Sequence, residues 1–257
     1  MEERQTNYTI MEGYELPSKG LIYGTKVDPH VELRSMTARD EMKRLSPSTT
    51  PLKTLADIIE GCMIEKPAIH VYDMALGDYE FLLHKLRIVT YGEDYAVTLR
   101  CTNPDCGHVF DYTMKLGSLL LKNFDIDEFN ELKTFTLPET GKLISLNFQT
   151  PRYLDEKDAR VKELKRRFKN VTIDFETLVK MTMAIETVDG NALPQKELET
   201  FIQNLPAKDM AKILNSMDKL NAYIGIDTTF YASCPNCNEE VKSFFRFGPE
   251  FFRPTNI

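Results

Sequence analysis

Apolar residues recur at three- and four-residue steps through much of this chain and alternate, or form short β-branched runs, elsewhere. Leu52, Leu55, Ile58, Ile59 and Cys62 fall on one side of a helix that follows the turn Ser46-Pro-Ser-Thr-Thr-Pro51. Phe81, Leu82, Leu86 and Val89 predict a second helix, capped by Asp78 and ended by Tyr91-Gly92. Ahead of both, Thr37-Ala-Arg-Asp40 is a capping box, with Met42 and Leu45 following on one side. Residues 116–124 are helix-like, and helical periodicity returns over 155–168, 175–186, 196–205 and 207–222. The separators are Asn170, Asp189-Gly190-Asn191, Pro194 and Pro206, which interrupt helices for backbone reasons.

Strand-like runs occupy 95–100, 109–114, 228–232 and 241–247, and a hairpin is expected from 133–137 and 142–148 around Glu139-Thr140-Gly141. The first 35 residues read as an extended arm, with short strands at 21–23 and 31–34, of the kind that can pair with a neighbour's sheet.

Four of the five cysteines form two pairs seated between those strands, Cys101-Thr-Asn-Pro-Asp-Cys106 and Cys234-Pro-Asn-Cys237. Two tight turns bearing two thiolates each can supply the four soft donors of a tetrahedral zinc site, and Asn103-Pro104-Asp105 and Pro235-Asn236 are turn formers. The competing readings are two disulfides, a redox-active CxxC, or unrelated buried thiols; no secretory leader argues for an oxidising compartment. His108 lies close enough in sequence to replace a thiolate, but with four cysteines it reads as a hydrogen-bonded neighbour. Cys62 belongs to a helical apolar face. Because 127 residues separate Cys106 from Cys234, an insertion is implied. The expected fold is α+β: split zinc-ribbon hairpins, N-terminal helices, and a large inserted β-hairpin plus helical subdomain. The expected divisions are 1–35, 36–115, 116–225 and 226–257.

Composition narrows the function. The net charge is −7 and no run is long and apolar enough to span a membrane, so neither a membrane nor a phosphate backbone is the expected partner. One stretch, 160–169, holds six basic residues in ten and reads as a solvated helix face, with a docking patch as the alternative. The tail 244–254 has seven Phe or Pro in eleven residues, rings that either cover the ribbon's own core or anchor a partner. There is no Gly-rich phosphate loop, nucleophile elbow, HExxH or calcium loop. His30, His70, His84 and His108 are scattered, and His84 is expected to be partly exposed on its helix. A closed four-thiolate site leaves no position for a catalytic water, so no enzyme is expected.

Several passages in series resemble the T-even-type baseplate hub subunit and hub-assembly proteins of tailed bacteriophages. They are Glu15-Leu-Pro-Ser-Lys-Gly-Leu-Ile-Tyr23, Val31-Glu-Leu-Arg-Ser-Met-Thr-Ala-Arg-Asp-Glu41, Ile58-Ile-Glu-Gly-Cys62, Asp78-Tyr-Glu-Phe-Leu-Leu-His-Lys-Leu-Arg-Ile-Val-Thr-Tyr-Gly92 and the cysteine pair behind them. The resemblance covers mainly residues 15–115. It implies a non-enzymatic protein of the contractile-tail baseplate hub, partnered by other baseplate proteins. Such a protein would assemble in the host cytoplasm and be either retained in the virion or released. The alternative is a zinc-ribbon nucleic-acid or transcription-associated factor, which the basic run at 160–169 could serve.

Overall fold

A computed structural model describes residues 10–167, 174–245, 247 and 249–252. Its element order is β1 (Met11–Glu15), β2 (His30–Arg34), α1 (Ala38–Leu45), α2 (Pro51–Cys62), α3 (Leu76–Tyr91), β3 (Asp94–Arg100) and β4 (Val109–Lys115). There follow α4 (Ile126–Lys133), β5 (Thr134–Thr136), β6 (Leu143–Leu146), α5 (Pro151–Arg167), α6 (Phe175–Ala184), β7 (Ile185–Val188), α7 (Gln195–Gln203), α8 (Ala207–Tyr223), β8 (Thr229–Ser233) and β9 (Glu240–Phe244). The mixture of helices and small antiparallel sheets is the α+β class expected from the sequence. No helix among the described residues is long and apolar enough to cross a membrane.

The N-terminal segment pairs with itself. β1 and β2 form an antiparallel hairpin with Met11 opposite Arg34 and Glu15 opposite His30. Alternation in β2 sends Val31 and Leu33 into the core and His30 and Glu32 outward. Residues Leu21–Lys26, expected in part as a strand, are a 3-10 turn instead. Ser18, in the loop just before it, delivers its backbone N–H to Asp78 Oδ1 at 3.0 Å, and its hydroxyl donates to Oδ2. Tyr23 donates to the same Oδ2 at 2.9 Å. Asp78 is therefore not the cap of α3, which begins two residues earlier; it is a buried acceptor inside the first turn, and burial raises its pKa.

α3 is the spine of the largest apolar cluster. Phe81, Leu82, Leu86 and Val89 point inward as their spacing predicts, and Leu33, Ile58, Ile59 and Cys62 pack against them. His84 is buried too, contrary to expectation, because α3 is enclosed on almost every side and keeps no polar face there. One imidazole nitrogen, Nε2, lies 3.1 Å from the Leu116 carbonyl, while Nδ1 has no partner among the described residues. Burial pushes its pKa down to about 4. At the end of α3, buried Arg87 donates to the carbonyls of Gly92 (2.7 Å), Phe251 (3.1 Å) and Asp94 (3.2 Å). The aromatic tail joins this cluster and not the ribbon's own core: Phe245, Phe251 and Phe252 are buried in it, with Tyr95 edge-on to Phe245 at 5.4 Å. Phe244 stays exposed, and Arg246, Gly248 and 253–257 lie outside the described residues.

A second cluster fills the region between the cysteine pairs. β5, β6 and β7 make a three-stranded sheet whose Ile144, Leu146 and Val188 meet Met181, Ile213, Met217 and Leu220 from α6 and α8. The β5–β6 hairpin was expected, and its turn is clamped by buried Asp209, which accepts from the backbone N–H of Glu139 (2.9 Å) and Thr140 (3.0 Å). Two elements depart from expectation. Residues 116–124 hold only one 3-10 turn, and the helix lies later, at α4, where Asp125 Oδ1 accepts from the N–H of Asp127 and Glu128. The run expected as one helix over 175–186 ends at Ala184, and the partly β-branched Ile185-Glu-Thr-Val188 continues as β7. The two clusters meet where Gly77 of α3 crosses the backbone at Ile224; a side chain at 77 would overlap the Ile224 carbonyl.

Candidate metal centre

Two hairpins present the four cysteines. In the first, the ladder of β3 and β4 runs from Asp94 opposite Lys115 to Arg100 opposite Val109, and Cys101 N–H then donates to the His108 carbonyl at 2.8 Å. In the second, β8 and β9 run from Thr229 opposite Phe244 to Ser233 opposite Glu240, and Cys234 N–H donates to the Glu239 carbonyl, again at 2.8 Å. Each pair thus occupies the loop immediately beyond a closed ladder. In both loops the residue after the second cysteine has left-handed backbone, Gly107 at φ 54° and Asn238 at φ 59°. Glycine and asparagine are the residues that accept this conformation at least cost. The amide of Gly107 returns to the Asn103 carbonyl at 3.0 Å and that of Asn238 to the Cys234 carbonyl at 2.9 Å. One turn has been built twice, although the cysteine spacings differ.

The turns bring the four thiols together. All four Sγ atoms lie within 4.8 Å of one another, and among the described residues they are the sole group of three or more His, Cys, Asp or Glu ligands placed to share an ion. Across the hairpins Cys101 faces Cys237 at 3.5 Å, and Cys106 faces Cys234 at 3.9 Å. A tetrahedral ion with metal–sulfur bonds of about 2.3 Å requires sulfur–sulfur edges of about 3.8 Å. The donor set therefore fits a soft four-coordinate cation. Cys101 and Cys234 are buried, Cys106 is half-buried and Cys237 exposed, so one side of the cluster faces solvent.

Leu99, Phe110, Ala232 and Val241 form the small apolar base beneath the sulfurs. Tyr112 and Phe230 stack across the two hairpins, centroids 6.1 Å apart and planes within 5°. Burial pushes the Cys101 thiol up to about 12. The Asn236 amide, 3.3 Å from Cys106 Sγ, and the His108 backbone draw the Cys106 thiol down to about 7. A cation entering here meets one readily ionised sulfur at Cys106, and thiolate ligation would release protons as it binds. Asn236 was legible in the sequence only as a turn former; its role as donor to sulfur follows from the fold.

The remaining candidates fall elsewhere. His108 stacks on Phe110 at 6.2 Å, outside the four-sulfur group, and contributes its backbone carbonyl. Cys62 is fully buried beside Asp40 and its thiol is pushed up to about 12 by burial. The basic residues Arg160, Lys162, Lys165, Arg166 and Arg167 are exposed along α5, as a solvated face requires; Lys169 lies outside the described residues.

No curated protein and no solved structure matches the chain. A family profile, described as T4 bacteriophage base plate protein, matches residues 11–253. With nearly its whole length covered, hairpins and helical region alike, the chain belongs to the T4 bacteriophage base plate protein family.

Proposed function

We propose that this protein is a non-enzymatic structural or assembly component of the baseplate hub of a contractile phage tail. In this reading Cys101, Cys106, Cys234 and Cys237 hold one structural zinc ion. The carrying observation is the convergence of four sulfurs from two hairpins of matching construction. Zinc is the ion of choice because it takes four thiolates tetrahedrally without redox chemistry, and four protein ligands leave it closed to substrate. Its work is then architectural: it fastens the end of β8 to the end of β3 and so holds residues 116–225 at both ends. The three separate apolar clusters support that division of the chain. Partners would be other baseplate proteins, met in the host cytoplasm during assembly.

The nucleic-acid reading draws less support. The knuckle loops carry Asp105 and Glu239, and the basic residues sit instead on α5. Elemental analysis of protein purified without chelator is expected to give about one zinc per chain, lost in both Cys101→Ser and Cys234→Ser. Zinc retained by either variant would mean that the two pairs do not share an ion. Co-expression with other tail proteins should yield a complex; salt-sensitive DNA binding without any such complex would favour the second reading.

A further inference from the structure

A cleft of about 460 Å³ opens between α2, α3, α5 and the C-terminal aromatic residues. Its walls are Leu52 and Leu55 from α2, Leu76 and Leu83 from α3, Leu154 from α5, and Phe252. The two α2 leucines belong to the apolar face read from the sequence, yet they remain half-buried while Ile58 and Ile59, further along the same face, are enclosed. Among the described residues the core covers this end of α2 only in part.

One carboxylate lies in this apolar lining. Glu80 makes no hydrogen bond and no ion pair with the described residues, and burial pushes its pKa up to about 7, against the opposing field of Lys122. The other charged group in the lining is already committed: Arg44 pairs with Glu41, Nε to Oε2 at 2.9 Å, and lies over the Phe252 ring at 5.7 Å. A partly desolvated carboxylate with no cation in hydrogen-bonding contact among the described residues costs free energy that a cation arriving from outside can recover. Lysine and arginine suit the rest of the cleft, since their hydrocarbon stems lie along apolar walls while the head reaches a carboxylate.

We infer that this cleft is a docking site for a lysine or arginine side chain carried on an apolar segment of a neighbouring baseplate protein, with Glu80 receiving its charge. That the neighbour is a baseplate protein rests on the family; the chemistry of the cleft rests on its own residues and is independent of the zinc reading.

The probe is a blocked peptide, acetyl-Ser-Leu-Arg-Leu-Ser-amide, set against the same peptide with citrulline, the uncharged isostere of arginine. Binding is followed through the methyl resonances of Leu52, Leu55 and Leu83 in the full-length protein. The arginine peptide is expected to shift these methyls, the citrulline peptide to bind about tenfold more weakly, and Glu80→Gln to erase the difference. Equal affinity of the two peptides for the unaltered chain would overturn the inference, as would cleft methyls that move with neither. The citrulline comparison needs no variant, so it decides the matter even if Glu80→Gln folds poorly. A zinc-loaded chain that binds neither peptide would sink this inference and leave the ribbon intact.

Discussion

The apolar cluster around α3 and the one inside the ribbon are held on different terms. The first draws on β2, α2, α3 and the C-terminal aromatics, and many of its side chains, Leu33, Ile59, Leu82 and Leu86 among them, are completely enclosed. The second has six buried residues, two of which are the cysteines Cys101 and Cys234. Two-stranded hairpins with so little apolar surface are marginal alone. The contrast teaches where each source of stability applies: hydrophobic burial secures the helices, and the proposed ion takes over where burial runs out.

The largest test removes the ion. After chelation, amides of β3, β4, β8 and β9 beside the knuckles should lose hydrogen-exchange protection by on the order of 5 kcal/mol, with α3 amides little changed. Equal loss in α3 would mean that the two regions are one cooperative unit and the contrast is false. A second test works from the other side. Arg87→Ala removes the guanidinium that donates to the carbonyls of Gly92, Asp94 and Phe251 and should cost about 3 kcal/mol in urea denaturation while zinc content stays unchanged.

A third and subtler test uses pH, to which the α3 cluster should respond through groups remote from the sulfurs. Glu80 has a folded pKa of about 7 against an ordinary 4.5, so its contribution is full below pH 4.5 and is lost as pH rises through 7. His84, one turn along α3, has a folded pKa of about 4 against 6.5; its contribution is full above pH 6.5 and is lost as pH falls towards 4. The two oppose each other between pH 4.5 and 6.5. Relative to Glu80→Gln, the unaltered protein should therefore lose roughly 3 kcal/mol between pH 4.5 and 8, read from urea midpoints across that range. A pH-independent difference would show that Glu80 is solvated.

The two cysteine-bearing hairpins are legible because their determinants are local. Cysteine spacing, turn formers and β-branched flanks act over a few residues, and the capping box of Thr37 and Asp40 is equally local. What escaped depends on distant packing. Asp78 looks like a helix cap until Ser18 and Tyr23 arrive from some sixty residues away to claim its carboxylate. His84 looks like a surface residue until β4 and the turn after it close over α3 and present the Leu116 carbonyl. The sequence runs β7 into the preceding helix because its four residues are too short for their own periodicity; its pairing with β6 decides the matter. For the candidate site, the meeting of the four cysteines is readable in the sequence, whereas the Asn236 contact to sulfur and the placing of Glu80 in an apolar cleft exist only once the chain is folded.

Those facing sulfurs belong to residues 136 and 128 positions apart, and that separation governs how the centre can form. The first knuckle alone offers half a coordination sphere, so tetrahedral capture must wait until everything between the knuckles has brought the second one back. In the chain-entropy picture a covalent link across about 100 residues removes nearly 5 kcal/mol from the unfolded ensemble, a measure of how unfavourable that encounter is for an unfolded coil. For the proposed ion, acquisition would then be a late event in folding, and a filled site would certify that the intervening sheet and helices have already found their places.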